Sequence, residues 1–127
     1  MPSIKAFFAK LYAARTYKKI QKWSSSPLET QNRVFQSLIS EAAATSFGVD
    51  HDFISINSHE DFVKRVPVRD YEALKPYVDK VVAGEANVLW KGKPLYFAKT
   101  SGTTSGAKYI PITKESMPSH VEAAKNA

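Results

Sequence analysis

Apolar residues recur at Ile4, Phe7, Phe8, Leu11 and Tyr12, on one side of a 3.6-residue repeat, and predict a helix over residues 4–23. The stripe does not last. Arg15, Lys18 and Lys22 rotate onto the same side, while Ile20 and Trp23 lie nearly opposite. A bend near Ala13-Ala14, or two half-helices packed against different surfaces, would reconcile the two halves. A packed first helix with solvated lysines is preferred to a basic amphipathic helix lying on an anionic membrane or on a partner. Ser24-Ser25-Ser26-Pro27 stops this element, and Ser26 with Glu29 has the spacing of a capping box, with Pro27 at the first helical position.

A second helix is expected from Pro27 to about Thr45. Its stripe of Leu28, Val34, Phe35, Leu38, Ile39 and Ala42 would face a core, and Gly48 would end the region. Ser58 and Asp61 signal a short helix through Lys64, after which Val66-Pro67-Val68 forces extended backbone. Pro76 lies too deep for a helix beginning at Asp70. The pattern therefore predicts a turn at residues 70–73 and a helix from Pro76 to Ala83, closed by Gly84. Beyond that the period shortens. Residues 87–90 and 95–98 read as strands around the turn Lys91-Gly92-Lys93-Pro94, and Tyr109-Ile110-Pro111-Ile112 as a third extended piece, at an edge because of Pro111. Thr113 or Ser116 would cap a last helix.

The expected fold class is mixed α/β, with a helical N-terminal half followed by strands flanking a loop, as part of a larger layered α/β domain. Three stretches follow within that one domain: a basic helix over 1–25, a helical region over 26–83, and strand, loop, strand and helix over 84–127. Strand edges lacking partners could be covered by another copy of the chain, so self-association is expected.

A 127-residue chain with 43% hydrophobic and 12% aromatic residues has enough apolar material for a core. No run of eighteen apolar residues suggests a membrane span, and a cytoplasmic location is the default expectation. With no cysteine, disulfides, thiolate metal sites and a thiol nucleophile are excluded. His51, His59 and His120 are scattered at no ligand-like spacing and read as surface or loop residues, so no protein-built metal site is expected. Of 18 basic residues, Lys5, Lys10, Arg15, Lys18, Lys19 and Lys22 precede the first acidic residue, Glu29, so the other twelve match the 12 acidic ones. The excess charge of +6 is confined to the first helix, which argues against a nucleic-acid footprint across the domain.

Between the second and third extended pieces lies Thr100-Ser101-Gly102-Thr103-Thr104-Ser105-Gly106-Ala107-Lys108. Glycines let backbone N–H groups approach a ligand, hydroxyls donate to phosphate oxygens, and the lysine adds positive charge, so the loop suits a polyphosphate. Its spacing is neither the Walker pattern nor a dinucleotide fingerprint. A flexible polar linker would have the same composition, but apolar extended segments bracket this loop closely on both sides.

The loop resembles the phosphate loop of the adenylate-forming superfamily, although Ser105 and Ala107 stand where the general pattern has glycine and proline. Further segments narrow the resemblance: Asp61-Phe62, Val66-Pro67-Val68-Arg69-Asp70-Tyr71-Glu72, Gly84-Glu85, Val88-Leu89-Trp90, Phe97 and Tyr109-Ile110-Pro111. Together with the loop they resemble the N-terminal part of the Gretchen Hagen family, the auxin-responsive acyl acid amido synthetases and their bacterial relatives.

That resemblance implies an enzyme that uses ATP and Mg²⁺ to activate a small carboxylic acid as an acyl adenylate, then conjugates it to an amine or amino acid. It assigns phosphate binding to Thr100, Ser101, Gly102, Thr103, Thr104, Ser105 and Gly106, and a catalytic charge to Lys108. Family chains are several times longer, so these residues are expected to be a truncated N-terminal part that does not turn over substrate alone. Two other readings are an acyl-coenzyme A ligase of the phenylacetate type and a non-enzymatic module whose basic helix binds an anionic surface.

Overall fold

The computed structural model describes residues 3–101 and 106–126. The chain divides into two units, one of residues up to Phe35 and one of Gln36–Lys125.

In the first unit, helix α1 runs unbroken over Ile4–Ser24, with Ser3 as its N-cap: the Ala6 N–H donates to Ser3 Oγ at 3.3 Å. There is no break at Ala13-Ala14, and α1 has no buried residue; Ile4 is 78% exposed and Phe7 63%. The expectation of a packed first helix therefore fails. A side that turns from apolar to cationic after three turns cannot be buried along its length without stranding charges. Ser25 closes α1, its N–H donating to Gln21 O at 3.0 Å, and α2 begins two residues later, at Pro27.

Helix α2 spans Pro27–Ala42 and ends three residues before the expected Thr45. Ile39 and Ala42 are buried, whereas Leu28, Val34 and Leu38 remain exposed, so only the C-terminal part of the predicted stripe faces the core. Thr45 has left α2 to cap α3 (Ser46–Asp50). Its hydroxyl accepts from the Gly48 N–H at 3.0 Å and donates to Ala42 O at 2.7 Å. Gly48 is thus inside a helix and terminates nothing. It lies so close to the end of α2 that a Cβ would stand 2.1 Å from Ala42 O.

A 3₁₀ turn at Phe53–Ser55 leads to α4 (His59–Arg65), where the predicted cap is a full reciprocal box. Ser58 Oγ accepts from the Asp61 N–H at 3.1 Å, and Asp61 Oδ2 accepts from the Ser58 N–H at 3.0 Å. The Ser58 hydroxyl, followed by the Asn57 N–H, holds the Asp61 carboxyl below the usual carboxylate range. The stabilisation from a depressed carboxylate is complete above its unfolded value of about 3.9 and is lost as pH falls through the lower folded value. Thermal unfolding followed below pH 4 should therefore show a steeper loss of Tm for the native chain than for Asp61→Asn. Parallel curves would contradict this.

Helix α5 is continuous over Tyr71–Val82 with Pro76 inside it, which overturns the predicted turn and shorter helix. Asp70 caps it, Oδ1 accepting from the Ala73 N–H at 2.9 Å. Proline removes only the bond to the carbonyl of Glu72, and both residues are exposed, so water can replace the lost donor. Val78 and Val81 on the opposite side are buried, each worth about 1.5–3 kcal/mol, which together offset the roughly 3 kcal/mol cost of an interior proline.

Residues 87–90 do not form the expected strand. Asn87 takes φ 58°, its N–H donates to Gly92 O at 2.9 Å, and its side chain accepts from the Gly92 N–H at 2.7 Å, closing a loop. The carbonyls of Asn87 and Val88 are used by α3, accepting from the Ser46 and Phe47 N–H groups at 2.8 and 2.9 Å. Val88, 1% exposed, completes a core with Ile39, Ala42, Phe53, Ile56, Val78 and Val81.

Strands β1 (Tyr96–Lys99) and β2 (Tyr109–Ile112) form an antiparallel pair with Phe97 opposite Pro111 and Lys99 opposite Tyr109. The Thr100 N–H donates to Lys108 O at 3.0 Å, so hydrogen-bonded pairs alternate from that point and Pro111 falls at a pair that needs no donor. This fits the expected edge position. Thr113 and Ser116 then cap each other's N–H groups at 3.1 Å, ahead of α6 (Met117–Asn126). Among the described residues the architecture is thus helix-rich and mixed, with one small two-stranded sheet.

Candidate functional site

The hydroxyl-rich loop is the connection from β1 to β2. Past the last ladder pair, Thr100 and Lys108 face each other. Besides the bond to Lys108 O, Thr100 Oγ1 accepts from the Lys108 N–H at 3.4 Å, so the loop is pinned at its neck by its own first and last residues. Both are half-buried, whereas Ser101, Gly106 and Ala107 are exposed. Gly106 has φ 79°, a conformation that any side chain would strain, with open space around its Cα. Gly102, Thr103, Thr104 and Ser105, the other predicted phosphate ligands, lie outside the described residues.

The neck is docked on the first residue of α5. Tyr71 Oη accepts from the Tyr109 N–H at 2.9 Å, and the Lys108 ammonium lies 5.4 Å from the centre of the Tyr71 ring. The electron-rich ring face attracts the cation while leaving its N–H donors available to a ligand. On the other side of the ladder the Lys99 ammonium lies 5.9 Å from the Tyr109 ring centre. Two lysines therefore flank the neck, each carried on a tyrosine. Sequence reasoning selected Lys108 and missed Lys99 and Tyr71. Lys99 could have been found from its place beside the loop, but Tyr71 lies 38 positions from its hydrogen-bond partner and left no local signal.

The segment Val66–Glu72 has three jobs in succession. Arg69 reaches back to α3, its guanidinium donating to His51 Nε2 at 2.8 Å and lying 5.8 Å from the Phe47 ring centre. Asp70 caps α5, and Tyr71 holds the hairpin. His51 lies in the turn that follows α3, consistent with a loop position, but not at the surface: it is 6% exposed, stacked on Phe47 at 4.1 Å, with Nδ1 donating to Phe47 O at 2.7 Å. A guanidinium can only donate, so Nε2 is the accepting nitrogen and the proton sits on Nδ1. Tyr77 extends this cluster, donating to Asp50 Oδ2 at 2.7 Å, and burial, then Asp50, pushes its phenol up. These bonds and ring contacts join the end of α3 to the start of α5, which makes the cluster a brace between them.

Among the described residues no group of histidine and carboxylate side chains could hold a metal ion, and no helix is long and apolar enough to cross a membrane.

Residues 16–126 match the family pattern described as the GH3 family N-terminal domain. The chain belongs to the GH3 family. Curated members similar to it include a probable indole-3-acetic acid-amido synthetase of Oryza sativa subsp. japonica, 31% identical over 98 residues, covering 66% of this chain and 21% of that protein. A 4-substituted benzoates-glutamate ligase of Arabidopsis thaliana is 29% identical over 92 residues, 72% of this chain and 16% of the ligase. A jasmonoyl-L-amino acid synthetase of Nicotiana attenuata is 24% identical over 99 residues, 76% of this chain and 17% of the synthetase. The chain thus spans about a fifth of the length of the curated GH3 relatives it matches. All of the loop, the neck and the Val66–Glu72 segment fall within the matched region.

Proposed function

We propose that this GH3 chain supplies the triphosphate-gripping part of an ATP-dependent, AMP-forming acyl acid amido synthetase, within a larger layered α/β domain. The observation that carries the reading is the neck: Thr100 and Lys108 bonded across it, with the Lys108 ammonium held over Tyr71 at the mouth of a glycine- and hydroxyl-rich loop. In such a reaction a substrate carboxylate attacks the α-phosphorus of ATP and pyrophosphate leaves, after which an amino acid nitrogen displaces AMP to form the amide. Charge grows on the departing pyrophosphate. Donors already fixed at its oxygens lower that barrier electrostatically, one such donor being worth about 2.7–4 kcal/mol in comparable sites.

Thr100 here closes the neck. The exposed Ser101 hydroxyl and the N–H groups of Gly106 and Ala107 would donate to phosphate oxygens, and Lys108 would add a positive charge. Gly102, Thr103, Thr104 and Ser105 would complete the grip. Mg²⁺ would travel with the triphosphate and shield its charge. No carboxylate cluster among the described residues fits that ion, so phosphate oxygens would hold it. The names of the curated relatives support an acid and an amino acid as the joined substrates.

Binding tests the reading directly on this chain. ATP and inorganic tripolyphosphate should shift the amide resonances of Thr100, Ser101, Gly106, Ala107 and Lys108, whereas AMP should not. Lys108→Ala should weaken tripolyphosphate binding about tenfold or more, as expected for loss of one charged hydrogen-bond donor. AMP acting as strongly as ATP, or an unchanged affinity in Lys108→Ala, would refute it. In a family-length protein carrying these residues, pyrophosphate release should require a carboxylic acid, and amino acids should outcompete coenzyme A as acceptor.

A further inference from the structure

The first twelve residues of helix α1 lie before the region that matches the GH3 N-terminal domain. At 100° per residue, Ile4, Phe7, Phe8 and Leu11 share one side with Arg15, Lys18 and Lys22. The side is therefore divided along its length, aliphatic and aromatic through the first turns and cationic through the later ones. The apolar half is open, with Ile4 78%, Phe8 61% and Leu11 61% exposed. A concave surface along this side is lined by Phe8, Leu11, Arg15, Lys18 and Lys22 among others. No acidic residue occurs before Glu29, so the cations have no counter-charge within the helix.

Four occupants differ in how they meet that pattern. A hydrophobic core would have to bury three cations with no acidic residue on α1 to pair them. A second copy of the chain would set like charges against each other, in a molecule already at +6. A nucleic acid would neutralise Arg15, Lys18 and Lys22 but leave Ile4, Phe7, Phe8 and Leu11 in water. An anionic phospholipid surface answers both halves: the apolar turns enter the acyl boundary, and the lysine and arginine stems reach up to the phosphates. We propose that α1 docks this protein on an anionic phospholipid surface, apolar end inserted and cationic end on the headgroups. This rests on α1 alone and does not depend on the ATP reading.

The probe is sedimentation of the intact chain with vesicles. Vesicles of phosphatidylcholine containing 30% phosphatidylserine should pull the protein down, while pure phosphatidylcholine and vesicles bearing a cationic lipid should not. Raising salt from 0.05 to 0.5 M should release most of it. The triple variant Arg15→Gln, Lys18→Gln, Lys22→Gln keeps good helix formers on exposed positions and should lose roughly a hundredfold in partitioning, at about fivefold per charge. A second variant, Phe7→Ser with Leu11→Ser, should lose binding while keeping its charge. Equal sedimentation with neutral vesicles, or an unaltered triple variant of native circular dichroism, overturns the proposal. So does equal binding of the double-serine variant, and so does capture by soluble polyglutamate as strong as by the anionic vesicles, which would assign the face to an acidic protein.

Discussion

Gly48→Ala is expected to destabilise the Gln36–Lys125 unit by about 3 kcal/mol or more, or to abolish its cooperative unfolding. The sign is opposite to helix propensity, because alanine inside a helix is ordinarily better than glycine by about 1 kcal/mol. Here the added methyl would stand 2.1 Å from Ala42 O and 3.0 Å from Ala43 O, both backbone atoms that cannot swing aside. Relief would require α3 to move off the end of α2, taking with it the bonds from Ser46 and Phe47 to the 87–88 loop. Urea unfolding measures this directly; a midpoint shift equivalent to less than about 1 kcal/mol would mean that the close approach is not maintained in solution.

Thr45→Val should cost about 1–3 kcal/mol at the same joint. Valine fills the space of threonine, so the loss isolates the hydroxyl, which is buried with its residue 2% exposed. That hydroxyl is the acceptor for the Gly48 N–H at the start of α3 and a second donor to Ala42 O, which the Thr45 N–H also reaches at 3.0 Å. The substitution leaves one buried group, the Gly48 N–H, without its partner, which costs about 1–3 kcal/mol. Thr45→Ser, which retains both bonds and loses a methyl worth about 0.8 kcal/mol, should be the milder of the two. If serine proved the more damaging of the two, packing would outrank hydrogen bonding here and the account of the joint would be wrong.

The elements that could be read in advance are those whose cause is local. The Ser58 and Asp61 box, the stop at Ser24–Pro27, the Thr113 and Ser116 pair and the edge position of Pro111 each depend on groups within a few residues of one another. The continuous α5 was missed because the rule against interior proline is a statement about one hydrogen bond. Burial of Val78 and Val81 and the Asp70 cap outweigh that bond. The strand expected at 87–90 was missed for a different reason. An apolar run such as Val88-Leu89-Trp90 records burial but not period, and the donors that claim its carbonyls sit 41 residues earlier.

His51 shows the same division in one residue. Its isolation from other histidines was legible and argued against a metal site, but its place between Phe47 and Arg69 was not. The loop composition likewise drew attention to Thr100 and Lys108, while the tyrosine that holds their neck came from a distant helix, α5. By itself, the sequence determined the Ser58–Asp61 box, the charge asymmetry of the first helix, the hydroxyl-rich loop and the family, because each is carried by residues that are neighbours along the chain. Only the tertiary structure decided which glycine is pinned against a carbonyl, which histidine is buried and which tyrosine supports Lys108, because those depend on atoms that meet across dozens of residues and leave no periodic trace.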